Sequence, residues 1–434
     1  MDSISDTFGA GVAKKRYVLG RRNKEEQGLL NLGRYLALDG SAGSYIGLDA
    51  LGPHCILICG KRGYGKSYTM GTLIEELALL PETIRNNIAS LVIDTMGIFW
   101  TMKKANEPQE SLLKQWSLTP KEFDIKIFVP LGSVKKYKEQ NIEVIPFSIP
   151  IHSMDGYAWC KIFKIDEVSP LGVLLIRVIA ELRSMYSNFS FDAIMDKVLE
   201  DERADIVTKS AAENYVRTAS SWGVFTEEGV HINDLVRRGC TAILDVSTLK
   251  DLDIRASIVG HISKEIYYQR LEARRSEERI LMGKEHDNTG IPMTWMFIDE
   301  AHLFIPTRNK TLASDVLTNE WLRQGRQPGL SLILATQRPS ALDPEVTSQS
   351  DILICHRLTA AEDINALESF RPNYMKEDIG DSIRKMGMEQ GIAFILDDTT
   401  EAAHVIRMRP RLSWHGGNEP TALPSHKQKK NNET

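Results

Sequence analysis

Apolar and polar positions along the chain follow two rhythms. Short runs that are apolar on both faces recur as Cys55-Ile56-Leu57-Ile58-Cys59, Ser90-Leu91-Val92-Ile93-Asp94, Lys126-Ile127-Phe128-Val129-Pro130, Thr241 to Asp245, Thr294 to Asp299, Leu332 to Thr336 and Asp351 to Cys355. A strand with one wet face alternates in polarity, whereas a strand covered on both sides does not, so these runs predict a mostly parallel sheet. The stretches between them carry helical spacing, as from Lys66 to about Leu80, where Pro81 stops the helix. The expected fold class is α/β, a sheet sandwiched by helices.

Between about Ile151 and Asp234 the strand-like runs give way to helical periodicity, with Leu171 through Leu182 and then Ala193 to Val207 as the clearest segments. This predicts an all-helical insertion inside a core of residues 49–418. Residues 1–48 hold a basic, glycine-punctuated start (Lys14-Lys15-Arg16, Arg21-Arg22) and a hairpin around Asp39-Gly40-Ser41-Ala42-Gly43, a short N-terminal β arm too small to fold alone. Residues 419–434, with the polar run Lys427 to Thr434, read as a disordered tail.

Composition narrows the class. With 434 residues, 42% hydrophobic and 26% charged, the chain has the makeup of a globular protein with one large core or two modest ones. No stretch approaches the roughly 18 apolar residues of a membrane span, and the polar start Met1-Asp2-Ser3 lacks signal-peptide character, so a cytoplasmic protein with no membrane anchor is expected. The five cysteines have no zinc-site spacing and suit reduced, buried thiols. A net charge of −5 does not announce a polyanionic partner, which leaves local basic patches: Lys103-Lys104, Lys135-Lys136-Lys138, Arg274-Arg275, Arg308-Lys310 and Lys427-Lys429-Lys430. Judged singly, each reads as a solvated face.

Candidate chemistry begins where the first apolar run ends. Gly60-Lys61-Arg62-Gly63-Tyr64-Gly65-Lys66-Ser67 has the spacing of a phosphate-binding loop between strand and helix. Its glycines let successive N–H groups face an anion, Lys66 supplies a cation, Ser67 offers a hydroxyl to Mg²⁺, and the helix running on through Tyr68 adds its positive end. Asp299-Glu300 closes another strand, as an acid pair that could hold hydrated Mg²⁺ and orient the water attacking ATP. Gln337 follows the run Leu332 to Thr336, placed to sense a γ-phosphate. Arg323-Gln324-Gly325-Arg326 precedes the turn at Pro328-Gly329; an arginine here could reach a neighbouring subunit's site or complement a helix end.

These residues together resemble the HerA and FtsK branch of RecA-like motor ATPases, and more closely the HerA-like proteins. The resemblance rests on the loop Gly60 to Ser67, on Ile93-Asp94-Thr95-Met96-Gly97, Ile298-Asp299-Glu300-Ala301-His302, Arg323 to Arg326 and Ala335-Thr336-Gln337-Arg338-Pro339-Ser340, and on the closing Arg409-Pro410-Arg411-Leu412-Ser413-Trp414-His415-Gly416-Gly417. It implies a RecA-like core and a homo-hexameric ring that hydrolyses ATP with Mg²⁺ at subunit interfaces and threads DNA, taken as double-stranded, with a nuclease or other effector as partner. It further implies that Gly60, Lys61, Arg62, Gly63, Tyr64, Gly65, Lys66, Ser67 and Tyr68 hold the nucleotide with Asp94 beside it, that Ser67 and Asp299 ligate Mg²⁺, that Glu300 is the catalytic base and Gln337 the sensor, and that Arg323 or Arg326 acts in trans. The segment before Cys55 is shorter than the β-barrel many relatives carry there, and Lys61-Arg62-Gly63-Tyr64 stands where they have a Thr-Gly-Ser type sequence. Other functions open to such a set are a coupling ATPase of a conjugation or secretion apparatus and a nucleotide-controlled ring scaffold that activates an effector.

Overall fold

All seven apolar runs are strands in the computed structural model, which describes residues 17–21, 27–36, 42–284, 290–370, 378–386 and 389–417. In chain order the strands are β1 (Tyr17–Leu19), β2 (Leu29–Leu36), β3 (Ala42–Asp49), β4 (Cys55–Cys59), β5 (Ile88–Asp94), β6 (Ile125–Pro130), β7 (Ile145–Phe147), β8 (Ile149–Pro150), β9 (Phe225–Thr226), β10 (Thr241–Asp245), β11 (Met293–Ile298), β12 (Leu330–Thr336), β13 (Ile352–Cys355), β14 (Ile392–Asp397) and β15 (Ala402–Met408). Thirteen of them make one sheet in the order β1-β3-β2-β15-β14-β13-β4-β12-β11-β5-β10-β6-β7. From β13 through β7 every pairing is parallel.

Beyond β13 the sheet turns antiparallel through β14, β15, β2 and β3. Of these strands β14 and β15 were not anticipated, whereas β2 and β3 pair antiparallel on either side of the expected hairpin turn. Residues 17–19, 29–36 and 42–49 thus join the edge of the same sheet, because β15 pairs with β2. Of the N-terminal expectations, Lys14, Lys15, Arg16, Arg22 and the turn residues Asp39, Gly40 and Ser41 lie outside the described residues, as does the tail from 418 onward with Lys427, Lys429 and Lys430.

Successive strand residues point to opposite faces, and each face has its own core. On one side Leu57, Leu91, Ile93, Met296, Ile298 and Leu334 pack against helices that include Pro170–Met185 and the long helix Leu252–Leu281. On the other, Ile56, Ile58, Val92, Trp295, Phe297 and Ile333 meet Met70, Leu73, Ile74 and Leu77 of the helix Lys66–Ala78.

Between β8 and β9 the chain makes the helices Gly156–Phe163, Pro170–Met185, Phe191–Glu200 and Ile206–Ser221. The pairing Ile149↔Phe225 brings its two ends together. The expected helical run from Ala193 to Val207 is broken in the middle. Asp201 accepts the N–H groups of Arg203 and Ala204, each at 2.9 Å, and Asp205 caps the next helix by accepting from Val207 and Thr208. Short carboxylates satisfy loose backbone donors better outside a helix than within one.

The helix Lys66–Ala78 is anchored by a buried ionic cluster. Glu75, fully shielded from solvent, accepts Arg409 Nη1 at 2.9 Å and the Leu412 N–H at 2.9 Å on Oε2. Its Oε1 accepts Arg411 Nε at 3.2 Å, the Ser413 N–H at 2.9 Å and the Ser413 hydroxyl at 2.6 Å. Burial by itself would raise the Glu75 carboxyl, but Arg409 and Arg411 outweigh it and hold the group below its ordinary range. Gly71 is required beneath this cluster, since a Cβ there would meet Arg411 Cζ at 2.5 Å. Replacing Glu75 with Ala should destabilise the fold by about 3–5 kcal/mol, because Arg411 stays buried without its counter-charge and Arg409 keeps only Glu76, whose Oε1 lies 2.8 Å from its Nε. A urea titration would show this as a lower midpoint at unchanged slope.

Candidate active site

Parallel register sets the site. Cys59 of β4 lies opposite Thr336 of β12, and Leu334 of β12 lies opposite Ile298 of β11, so three neighbouring strands end almost level. The residues that follow, Gly60, Gln337 and Asp299, therefore emerge at one edge, where parallel sheets commonly bind their ligands.

The loop from Gly60 leads into the helix at Lys66, with Gly65 at φ 117° as the residue before its first turn. No acidic residue occupies that turn and no side chain caps it, which leaves the backbone donors open to an anion. His356, immediately after β13, backs the loop. Its Nδ1 lies 2.9 Å from the Ile392 carbonyl, which can only accept, so Nδ1 carries the proton and Nε2 accepts the Thr69 hydroxyl at 2.9 Å. A Cβ on Gly60 would sit 2.7 Å from His356 Cβ, and the Lys61 N–H donates to the Arg357 carbonyl at 2.8 Å. Neither His356 nor this packing was foreseen; the signal was a polar residue directly following an apolar run.

Asp299 and Glu300 meet the loop directly. The Ser67 hydroxyl donates to Asp299 Oδ2 at 3.0 Å, while Asp299 Oδ1 accepts the Glu300 N–H at 2.9 Å. Glu300 has a left-handed backbone, φ 50° and ψ 47°, a conformation uncommon outside glycine and found disproportionately at functional sites. Its Oε1 accepts Gln337 Nε2 at 3.0 Å. Lys66 is buried, with Nζ 3.5 Å from the Lys61 carbonyl. Burial lowers its pKa, opposed by the charges of Glu300 and Asp299. Burial also raises both carboxyls, and Asp299 adds to the rise at Glu300.

Asp94, Tyr68, Tyr64, Arg323 and Arg326 lie outside that bonded chain. Asp94 is fully buried and gives its carboxylate to the turn that follows β5: Oδ1 accepts the N–H groups of Met96 and Gly97 at 3.1 and 2.7 Å, and Oδ2 those of Ile98 and Phe99 at 2.8 and 2.9 Å. It shapes that turn and does not present its carboxylate to the loop. The Tyr68 hydroxyl donates to Gln109 Oε1 at 3.1 Å and accepts the Arg411 N–H at 2.6 Å, tying it to the C-terminal segment. Tyr64 lies under the Arg357 guanidinium at 5.8 Å. Arg323 and Arg326 are exposed, and Arg323 forms a two-pronged pair with Glu345 at 2.8 and 3.0 Å. Among the described residues no hydrogen bond joins either arginine to the Ser67, Asp299 and Glu300 cluster. Within the basic patches, Lys103, Arg274 and Lys310 are paired with Glu143, Glu277 and Asp343.

A family model described as "Helicase HerA, central domain" matches residues 30–266. The chain belongs to the HerA family. It has the phosphate-loop spacing and the large, mostly parallel sheet of a HerA-like P-loop protein. A protein of Methanocaldococcus jannaschii named "Probable DNA double-strand break repair helicase HerA" is 22% identical over 398 residues, covering 84% of this chain and 73% of the relative. The "DNA double-strand break repair helicase HerA" of Sulfolobus acidocaldarius is 24% identical over 264 residues, 58% of this chain and 49% of that protein. Matches to the first few curated relatives span between 32% and 73% of those proteins' own length. In fold, the chain is similar to the solved structure of VirB4 of Thermoanaerobacter pseudethanolicus, with a TM-score of 0.55 at 12% identity, covering 89% of this chain and 97% of that one. No helix among the described residues of this HerA-family chain is long and apolar enough to cross a membrane.

Burial pushes the His356 imidazole down to about 4 from the ordinary 6.5. The unfolded chain therefore binds a proton first, and stability that is full above 6.5 erodes as the pH falls toward 4. Melting temperatures recorded from pH 7 to 5 should fall in the natural protein. They should fall less steeply in His356→Gln, which starts from a lower value.

Proposed function

We propose that this chain is an ATP-driven DNA translocase, working as a homo-hexameric ring on double-stranded DNA with a nuclease or other effector. One observation carries the reading: Ser67, Asp299, Glu300 and Gln337 form a bonded chain at the level ends of three parallel strands, beside an uncapped helix start. The names of the HerA relatives support DNA as the polymer.

The residues fit Mg²⁺–ATP. Bound there, it supplies the phosphoanhydride bond to be broken and the cation that spreads the developing charge. The Gly60–Gly65 main chain and the Lys66 ammonium would hold the phosphates, and the Ser67 hydroxyl and Asp299 carboxylate, already in contact, would hold the metal. Glu300, its affinity for protons increased by burial, orients the attacking water and accepts its proton. Gln337 gives up its bond to Glu300 for the γ-phosphate, and so reports that phosphate's presence. The exposed Arg326 is available to a neighbouring subunit's site, and Arg323 would reach one by giving up its pair with Glu345.

Hydrolysis measured with and without duplex DNA tests the whole reading; turnover indifferent to every nucleic acid tried would overturn the motor. Lys66→Ala should abolish nucleotide binding in a fluorescent-nucleotide titration. Glu300→Gln should bind ATP normally and turn over about a hundredfold or more slowly. Rings mixed from Lys66→Ala and Arg326→Ala chains should regain hydrolysis if Arg326 is supplied across the interface, and stay inactive if it is not.

A further inference from the structure

The two oxygens of the Glu300 carboxylate have unequal surroundings. Oε1 accepts the Gln337 amide, whereas Oε2 is buried and lacks a hydrogen bond of good geometry. His302 Nδ1 stands 3.4 Å from Oε2 and 3.1 Å from the hydroxyl of Thr336, the last residue of β12. That hydroxyl oxygen in turn accepts the Arg338 N–H at 3.0 Å. The imidazole is therefore wedged between the acid and the strand that leads to Gln337.

Charge and valence decide what the imidazole does there. A carboxylate oxygen only accepts, and a neutral imidazole has one N–H. A bare Nδ1 would set its lone pair against those of Oε2, while an Nδ1–H can be shared between Oε2 and the Thr336 oxygen. Burial lowers the His302 pKa, as do Arg338 and Lys66, which keeps the ring neutral. The left-handed backbone at Glu300 belongs to neither a strand nor a helix, so no regular element directs its side chain and a lateral restraint has work to do.

We infer that His302, in its Nδ1–H form, is a positioning residue for Glu300: it restrains Oε2, so that Oε1 is the oxygen offered to water when Gln337 leaves for the γ-phosphate. The inference rests on the ATPase reading above. It adds that the base is steered from both sides, by an amide that departs and an imidazole that stays.

The test uses the full chain, with steady-state ATP hydrolysis and, separately, the affinity for a non-hydrolysable ATP analogue. His302→Ala should lower kcat at least about tenfold while the analogue's Kd stays within about twofold, since the loop that binds phosphate is untouched. His302→Asn, whose amide N–H can take the place of Nδ1–H, should recover most of that loss. Adding His302→Ala to Glu300→Gln should slow residual turnover no further. An unchanged kcat in His302→Ala, a parallel loss of analogue affinity, or a His302→Asn chain as slow as His302→Ala would overturn the assignment. Failure of the underlying reading looks different: the natural protein would not hydrolyse ATP, or Glu300→Gln would match it.

Discussion

Three strands that end level are the constraint on which the site depends. The pairings of Cys59 with Thr336 and of Leu334 with Ile298 determine where Gly60, Gln337 and Asp299 emerge. A slip of one residue would send each side chain of a strand to the opposite face of the sheet. Because both faces carry a packed core, such a slip would bury mismatched shapes on two sides at once. The 3.0 Å contact between Ser67 and Asp299 is thus a product of sheet register, made between residues 232 positions apart.

Around that register the protein gathers polar groups whose bonds limit one another. His356 can support the loop only as a neutral ring, because its Nδ1 proton is committed to the Ile392 carbonyl. Asp94 can shape the turn after β5 only because four backbone N–H groups converge on it. Glu300 differs, with one oxygen engaged and the other short of a good partner. A buried polar atom left unsatisfied costs free energy in a resting protein, and active sites are where such costs recur.

Much of this was legible in the residues. Runs such as Cys55 to Cys59 and Thr294 to Ile298 are apolar on both faces, and that pattern has few solutions other than a covered parallel strand. The phosphate loop and Asp299-Glu300 were readable because their chemistry needs particular residue types in a fixed order. What escaped depended on which partner each group takes, near or distant in sequence. Ile392 to Asp397 is as apolar as the other runs, yet its antiparallel direction is visible only in its pairing with β13. The motif that suggested Asp94 beside the nucleotide shows a carboxylate without showing that its lone pairs go to four backbone N–H groups. The break after Glu200 was hidden because Asp201 and Asp205 compete with a helix only through bonds to specific N–H groups.

The cluster around Glu75 bears on how the molecule comes into being. Arg409 and Arg411 lie 334 and 336 positions after it, so during synthesis the helix that begins the phosphate loop exists long before its counter-charges do. Until the ribosome has passed Ser413, Glu75 must remain hydrated or take up a proton, and the helix cannot settle onto its final neighbours. Contacts of such long sequence separation form slowly and late. The helix that follows the phosphate loop is thereby tied to residues more than 300 positions away, so a settled loop requires closure of the chain over that whole distance.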